Sequence, residues 1–367
     1  MRLRPRRTAW HRRALSAGAA LAVDRFVGEP PVPGWLHPVA LFGSAMTALE
    51  RRVYRDSPAP GAILAAAGVG LAGVAGGALG SPTVAGYLST AGHGLHAAAL
   101  DVAAALDAGN VPVARALLPS LVGRDPTALD EAGIARAAVE SVAENTTDAI
   151  VAPALWTAAA GGVGAFVQRA GDTLDSMVGY RDDRYRRFGR ASARLDDALA
   201  WVPARVTAVL VALARPRRAR EVAHAVRHDA PAHPSPNAGV AEAAFAAALG
   251  LRLGGANRYG DIVEPRPTLG WGRTPGRHDI AAAVDLSRDV TWMLAGLLAL
   301  AGAAGELAAR YARGRNQGPG PEQRPKALGL HPDDVLDLSA SLNPFALTWP
   351  FWQLQICATD RHFHGHA

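Results

Sequence analysis

The sequence predicts an all-α fold: a multi-pass membrane helical protein with polar cytoplasmic helices and loops. Three observations carry this. Residues 57–92 and 149–168 contain no charged side chain, and about 20 apolar residues at 1.5 Å per residue cross the ~30 Å hydrocarbon core of a bilayer. Arg136, Glu140, Glu144 and Asp148 recur every fourth residue, which places them on one helix face. Composition is 49% hydrophobic but only 6% aromatic and 19% charged, as suits closely packed helices. A mean hydropathy of +0.06 is low for a chain made only of spans, so sizeable polar loops are expected.

Residues 1–13 form a basic N-terminal arm with six arginines, followed by the short apolar run Ala14–Val23. The pair imitates a signal peptide, but Asp24 ends the run without a small-residue cleavage site, which favours a first membrane-associated helix. Asp24 to Pro30 and Trp35 to Val39 form a Pro/Gly-rich turn region. Gly61–Gly80 is a span whose small residues permit close helix approach; a buried helix of a soluble bundle is the alternative. Thr83–Leu106 is a weaker apolar helix. Asp130 is the expected N-cap of the helix bearing the charged stripe. Ala149–Gln168 is a second span, Ala198–Ala214 a third, and Val290–Gly305 the last. Between these, 233–239 is a loop entering a helix near Val240, and 253–260 is a glycine-rich turn. The main domain is placed at 14–312 and a Gly/Pro/Gln/Arg-rich linker at 313–329.

The formal charge is +6, almost all from arginine, and Lys326 is the only lysine. Arginine clusters flank apolar runs rather than interleaving with stacking aromatics, which fits cytoplasmic flanks of spans and not nucleic acid. A lone Cys357 excludes an intrachain disulfide framework and a cysteine-built zinc site. The motifs of P-loop nucleotide binding, zinc proteases and hydrolase elbows are absent.

Candidate chemistry lies in two acidic groups at the ends of the 149–168 run. Like charges spaced i,i+4 cost roughly 0.2–0.5 kcal/mol per pair, so a cation or phosphate should meet them. Glu140, Glu144, Asp172 and Asp175 are the metal candidates, for Mg²⁺ bridging carboxylates to phosphate, with Asn145, Thr146 and Thr147 adding neutral oxygens. Asp148 or His37 is the candidate base, beside Asp175. Tyr180, Arg181 and Arg187 are phosphate or substrate candidates. Ser235, Asn237 and Gly239 precede a helix that can present N–H groups to an anion. The plainer alternatives are a solvated stripe paired with Arg136, a charged cytoplasmic loop, an N-cap at Asn237, and a structural His37 before Pro38.

These blocks resemble a known family. Glu140-Ser-Val-Ala-Glu-Asn-Thr-Thr-Asp148, Asp172-Thr-Leu-Asp-Ser-Met-Val-Gly-Tyr-Arg181, Tyr185-Arg-Arg-Phe-Gly189, Ala193-Arg-Leu-Asp-Asp197, Ser235-Pro-Asn-Ala-Gly239 and Leu253-Gly-Gly255 are similar to signature blocks of the CobD/CbiB family. So are Asp24, Gly28-Glu-Pro30 and His37-Pro38. The resemblance covers roughly residues 14–310, and Gly171 stands where Asn is expected.

The resemblance implies an adenosylcobinamide-phosphate synthase, a multi-pass cell (inner) membrane enzyme of cobalamin biosynthesis. Its expected substrates are a corrinoid, adenosylcobyric acid, and an amino alcohol phosphate such as that of aminopropanol. ATP is the implied co-substrate of amide formation, with other cobalamin-pathway enzymes as possible partners. A prenyltransferase-type enzyme holding a Mg²⁺-diphosphate, or a non-catalytic corrinoid-binding membrane subunit, would carry similar acidic clusters. Asp334 to Phe345 resembles the opening of a pyridoxal-phosphate threonine-phosphate decarboxylase. Lys326 precedes that motif, so no Schiff-base lysine follows it, and 330–367 reads as a truncated, non-functional fragment.

Overall fold

The computed structural model describes residues 9–30, 32–123, 125–180, 182–259 and 262–317. It is helical, with a single two-stranded sheet among the described residues. Twelve α-helices follow in order: α1 (Trp10–Val27), α2 (Pro38–Val53), α3 (Pro58–Ala78), α4 (Pro82–Ser89), α5 (Gly92–Asp107), α6 (Val111–Leu117), α7 (Glu131–Thr146), α8 (Ala152–Val178), α9 (Arg190–Ala214), α10 (Ala219–His228), α11 (Ala238–Leu249) and α12 (Arg277–Gln317). A π-helical turn, Thr147–Val151, joins α7 to α8, and strands β1 (Leu253–Tyr259) and β2 (Ile262–Leu269) form an antiparallel β-hairpin. The contacts divide the chain after Leu307. From Ala308 onward only the end of α12 is described, and its continuation to Gln317 corrects the expected linker start at 313. Residues 1–8 of the arm, Lys326, the motif 334–345 and Cys357 lie outside the described residues.

Among the described residues, four helical stretches are long and apolar enough to cross a membrane: Pro58–Ala78, Glu131–Val178, Arg190–Ala214 and Arg277–Ala312. The second is not straight, which corrects the expected span Ala149–Gln168. Gly161 has φ 66° and ψ −145° inside α8, a conformation that only glycine adopts without strain. The chain reverses there into a helical hairpin. Across it, any side chain at Gly164 would collide with the Trp156 carbonyl, and Gln168 Nε2 donates to the Asp148 carbonyl at 3.2 Å.

The returning arm packs antiparallel to α3. Gly76 and Gly162 meet backbone to backbone near the hairpin tip, Gly68 faces Leu174, and Gly61 lies against the Phe188 carbonyl. Small residues at these crossings let the helices touch. Asp172 therefore sits near mid-length of α3, and not at a helix mouth. The expected helix Thr83–Leu106 is also interrupted, between α4 and α5, where Ala91 N donates to the Ala149 carbonyl of the π turn at 3.0 Å.

The main core gathers α5, α7, α9, α10, α11 and the first half of α12. Helix α11 is apolar all round and is buried at Ala238–Ala248; such a helix belongs inside a bundle. It ends at Gly250, whose φ of 68° and ψ of 40° make a left-handed C-cap. Truncating its buried Phe245 to alanine would cost about 3–5 kcal/mol. A smaller core of Met46, Leu64, Leu174, Val178 and Phe188 seats the loop after α8.

Candidate functional site

Asp130 caps α7 as expected, accepting from Gly133 N at 2.8 Å. The stripe it starts divides into two parts. Glu140 Oε1 accepts from Gly254 N at 2.8 Å and lies 4.0 Å from Arg136 Nε, while Arg136 Nη1 donates to the Gly254 carbonyl. Glu140 is thus committed to holding β1, which corrects its assignment as a metal ligand. Glu144 and Asp148 are half-buried one and two turns on. Asp148 lies in the π turn, a distortion frequently found at functional sites. The neutral oxygens of Thr146 and Thr147 point elsewhere: Thr146 Oγ1 donates to Ser287 Oγ and Thr147 Oγ1 to Thr207 Oγ1. Asn145 Nδ2 turns back to the Ser141 carbonyl.

The hairpin reversal carries Asp172 and Asp175 back beside this stripe. Glu144 lies in electrostatic range of Asp172, Asp175, Glu140 and Arg266, and Asp148 in range of Asp172, Asp196 and Glu144. Helix α9 completes the wall with Asp196 and Asp197, both close to Asp175 or Asp172. Arg169 braces one side: Nη1 meets Asp172 Oδ2 at 2.7 Å, and Nε and Nη2 donate to the Ser89 carbonyl. Beyond Arg169, an apolar cavity of about 350 Å³ lies among Phe42, Leu71 and Phe166.

Among the described residues no three His, Cys, Asp or Glu side chains are grouped to grip a metal ion directly. The donor set is nonetheless all oxygen and strongly anionic. It fits an ion such as Mg²⁺, which keeps waters and takes only one or two protein carboxylates. Of Glu144, Asp172 and Asp175, one or two would hold it directly and the rest through its waters, Asp172 being already paired with Arg169.

Other expected residues fall elsewhere. His37 caps α2, with Nδ1 accepting from Val39 N at 3.4 Å, and is not among the electrostatic neighbours of the acidic wall. Arg187 is exposed and pairs with Asp56 at 3.6 Å, so it is not a phosphate ligand of this wall. Tyr180 is 57% exposed, with its ring 6.4 Å from Tyr185. Arg181 lies outside the described residues.

The loop 233–239 keeps its N–H groups for itself. Ser235 Oγ accepts from Asn237 N at 3.3 Å and Ala238 N at 3.1 Å, and Val240 N bonds the Asn237 carbonyl. This corrects the expected anion site at Ser235, Asn237 and Gly239. Asn237 instead splices loop to wall: its Oδ1 accepts from Arg205 Nη1 at 2.7 Å, and its Nδ2 donates to the Asp197 carbonyl at 2.9 Å. Gly239 is needed because any side chain there would strike His233 Cβ. Gly171, where the resemblance expected Asn, lies against Leu199 of α9; the position serves helix packing.

Sequence reasoning assigned no role to Arg169, Gln168 or Arg266. The first two carried a signal, since Gln168 and Arg169 sit one turn before Asp172. Arg266 carried none, because it reaches the wall from a strand far along the chain.

A second layer lies behind the π turn. Asp24 is buried, its Oδ2 accepting from His93 N at 3.1 Å while its Oδ1 has no partner. Burial is the main reason its carboxyl is pushed up to about 6. His96 Nε2 is 2.9 Å from Ser287 Oγ. Burial, with Arg288 and Arg25 nearby, lowers its imidazole to about 4.

A family model described as CobD/Cbib protein matches residues 17–287. The cobalamin biosynthesis protein CobD of Mycobacterium tuberculosis is 45% identical over 296 residues, covering 77% of this chain and 94% of that one. The protein of the same name from Rhodobacter capsulatus is 50% identical over 188 residues, covering 51% and 60%. That of Chromobacterium violaceum is 40% identical over 309 residues, covering 77% and 95%. No solved structure matches the chain. With the family match running across residues 17–287 and relatives 40–50% identical, the chain belongs to the CobD/CbiB family of cobalamin biosynthesis proteins.

Proposed function

We propose that the protein is an ATP-dependent acid–amine ligase that joins an amino alcohol phosphate to the free propionate of adenosylcobyric acid. Membership of a cobalamin biosynthesis family supports the pathway. The convergence of Glu144, Asp148, Asp172, Asp175 and Asp196 on one wall supports the chemistry. That convergence is the observation the proposal rests on.

A carboxylate is a poor electrophile. Its oxygen attacks the γ-phosphorus of ATP, the bond from that phosphorus to the bridging oxygen breaks, and ADP leaves. The amine nitrogen then attacks the acyl carbon, the bond to the phosphate oxygen breaks, and inorganic phosphate departs. The proton lost by nitrogen passes to a base. Asp148, set in the π turn, is the base assigned to this step in the proposal, because a base near the amine keeps it neutral. Magnesium held by Glu144, Asp172 and Asp175 would neutralise charge on phosphoryl oxygens. The apolar cavity beyond Arg169 offers room for an apolar flank of a large amphipathic substrate.

Membranes carrying the full chain, given adenosylcobyric acid, ATP and each amino alcohol phosphate in turn, test this by product mass. The expected product is the amide, with ATP consumed in equal amount. Corrinoid binding with no ATP consumption would reject the ligase reading and favour a carrier. Turnover of a prenyl diphosphate instead would reject it outright.

A further inference from the structure

The acidic wall has two guanidinium groups among its electrostatic neighbours, Arg169 and Arg266, and they are built differently. Arg169 is woven into the helices by its bonds to the Ser89 carbonyl and Asp172. Arg266 arrives from outside them, on β2. Its register partner is Gly255, and the base of this β-hairpin is clamped to α7. Gly254 N and its carbonyl bond Glu140 and Arg136. Gly254 and Gly255 have φ of +81° and +97°, and a side chain at Gly254 would collide with the Pro267 carbonyl. The Leu253-Gly-Gly255 block is therefore the irregular start of β1 that fixes the β-hairpin to α7, one helical turn before Glu144.

Arg266 Nη1 lies 3.3 Å from His233 Nε2. A guanidinium only donates, so Nε2 accepts from it, while Nδ1 lies 3.1 Å from both the N–H and the carbonyl oxygen of Ser235. Arg266 is thereby held by His233 while it stays in electrostatic range of Glu144. Two buried oxygens on the wall's helices lack protein partners. They are Gln168 Oε1, on a residue 1% exposed one turn before Asp172, and Ser192 Oγ, fully buried one turn before Asp196. Buried polar atoms are rarely left so, and each oxygen can still take a bond from a polar ligand.

We propose that Arg266 is the phosphate-binding residue of this site, and that it grips a phosphoryl group contributed by ATP or by the amino alcohol phosphate. The inference rests on the ligase reading above. A carboxylate wall alone repels phosphate, and the planar guanidinium fork matches phosphate oxygens two at a time. Placed across from Glu144, it completes a site with acids for a cation on one side and a donor fork for the anion on the other.

The test uses the full chain in detergent or nanodiscs, with Arg266→Gln and Arg266→Lys. Binding of Mg-ATP and of aminopropanol phosphate is measured separately by calorimetry, and KM is measured for these two and for adenosylcobyric acid. The expected result is a rise of ten-fold or more in Kd and KM for one phosphorylated ligand in Arg266→Gln. KM for the corrinoid should stay within two-fold, and Arg266→Lys should recover part of the loss. The ligand that moves names the source of the phosphoryl group.

Unchanged affinity for both phosphates overturns the proposal. So does an equal loss for all three substrates together with a lower melting temperature, which would make Arg266 a structural counter-ion. If Arg266→Gln does not fold, Arg266→Lys alone decides, with a selective rise of three-fold or more expected. Wild-type protein that binds neither phosphate fails the ligase reading itself and takes this inference with it.

Discussion

Gln168 Nε2 donates to the Asp148 carbonyl at 3.2 Å, although 20 residues separate them in sequence. In a straight helix the same residues would stand about 30 Å apart. The bond exists because Gly161 reverses the chain, and the acidic wall exists for the same reason. Gly161→Ala should cost about 1–3 kcal/mol of strain and pull Asp172 away from Asp148. A lowered melting temperature together with lost activity would bear this out. Wild-type behaviour in both would contradict it.

Glu144 on α7 and Asp175 on the returning arm of α8 lie within electrostatic range of each other. Glu144→Gln and Asp175→Asn should each lower amide formation by 100-fold or more. Melting temperature should not fall, because removing one of several crowded like charges relieves repulsion. Product mass and a thermal melt of each variant separate a chemical role from a structural one.

Asp24 and His96 pull stability in opposite directions over nearly the same pH range. Asp24 titrates near 6 when folded, against an ordinary 3.8. The folded chain therefore binds the extra proton, and stability falls as pH rises from about 4 to about 6. His96 titrates near 4, against 6.5. There the unfolded chain binds the proton, and stability rises from pH 4 to about 6.5. Relative to wild type, Asp24→Asn should gain stability across its window and hold the gain above pH 6. His96→Gln should be less sensitive to acid below pH 6. Melting curves at half-unit steps from pH 4 to 8 give both difference profiles.

Arg187 supplies a negative control. Its pair with Asp56 is exposed on both sides, and such pairs contribute roughly 0–1 kcal/mol. Arg187→Ala should keep activity within two-fold and melt within a degree or two. A ten-fold loss of turnover would return Arg187 to the list of phosphate ligands.

The helical class was legible because uncharged runs and i,i+4 charges are local signals. So was the crowding of Glu144, Asp172 and Asp175, since acids packed at both ends of an uncharged run stand out in the sequence. The joint that brings them together was not legible. Gly161 stands among other small residues in an apolar stretch, and its positive φ is invisible in composition. Length and hydropathy therefore read Ala149–Gln168 as one straight crossing.

Ser235 and Asn237 read as an anion site in the sequence, while in the structure they bond their own loop and α9. A helix start reads the same whether its N–H groups await an anion or bond their own loop. Glu140 looked like its neighbours until Gly254, 114 residues away, claimed it. Arg266 escaped notice for the same reason: its neighbours are tertiary.

The glycine reversal also changes how sidedness should be counted. A segment that reverses within itself contributes no net crossing, so the loops before α7 and after α8 are expected to face one compartment. Reporter fusions placed in those two loops should light up together. A hydropathy tally that scores the run as a single pass would put α9 and everything after it on the wrong side.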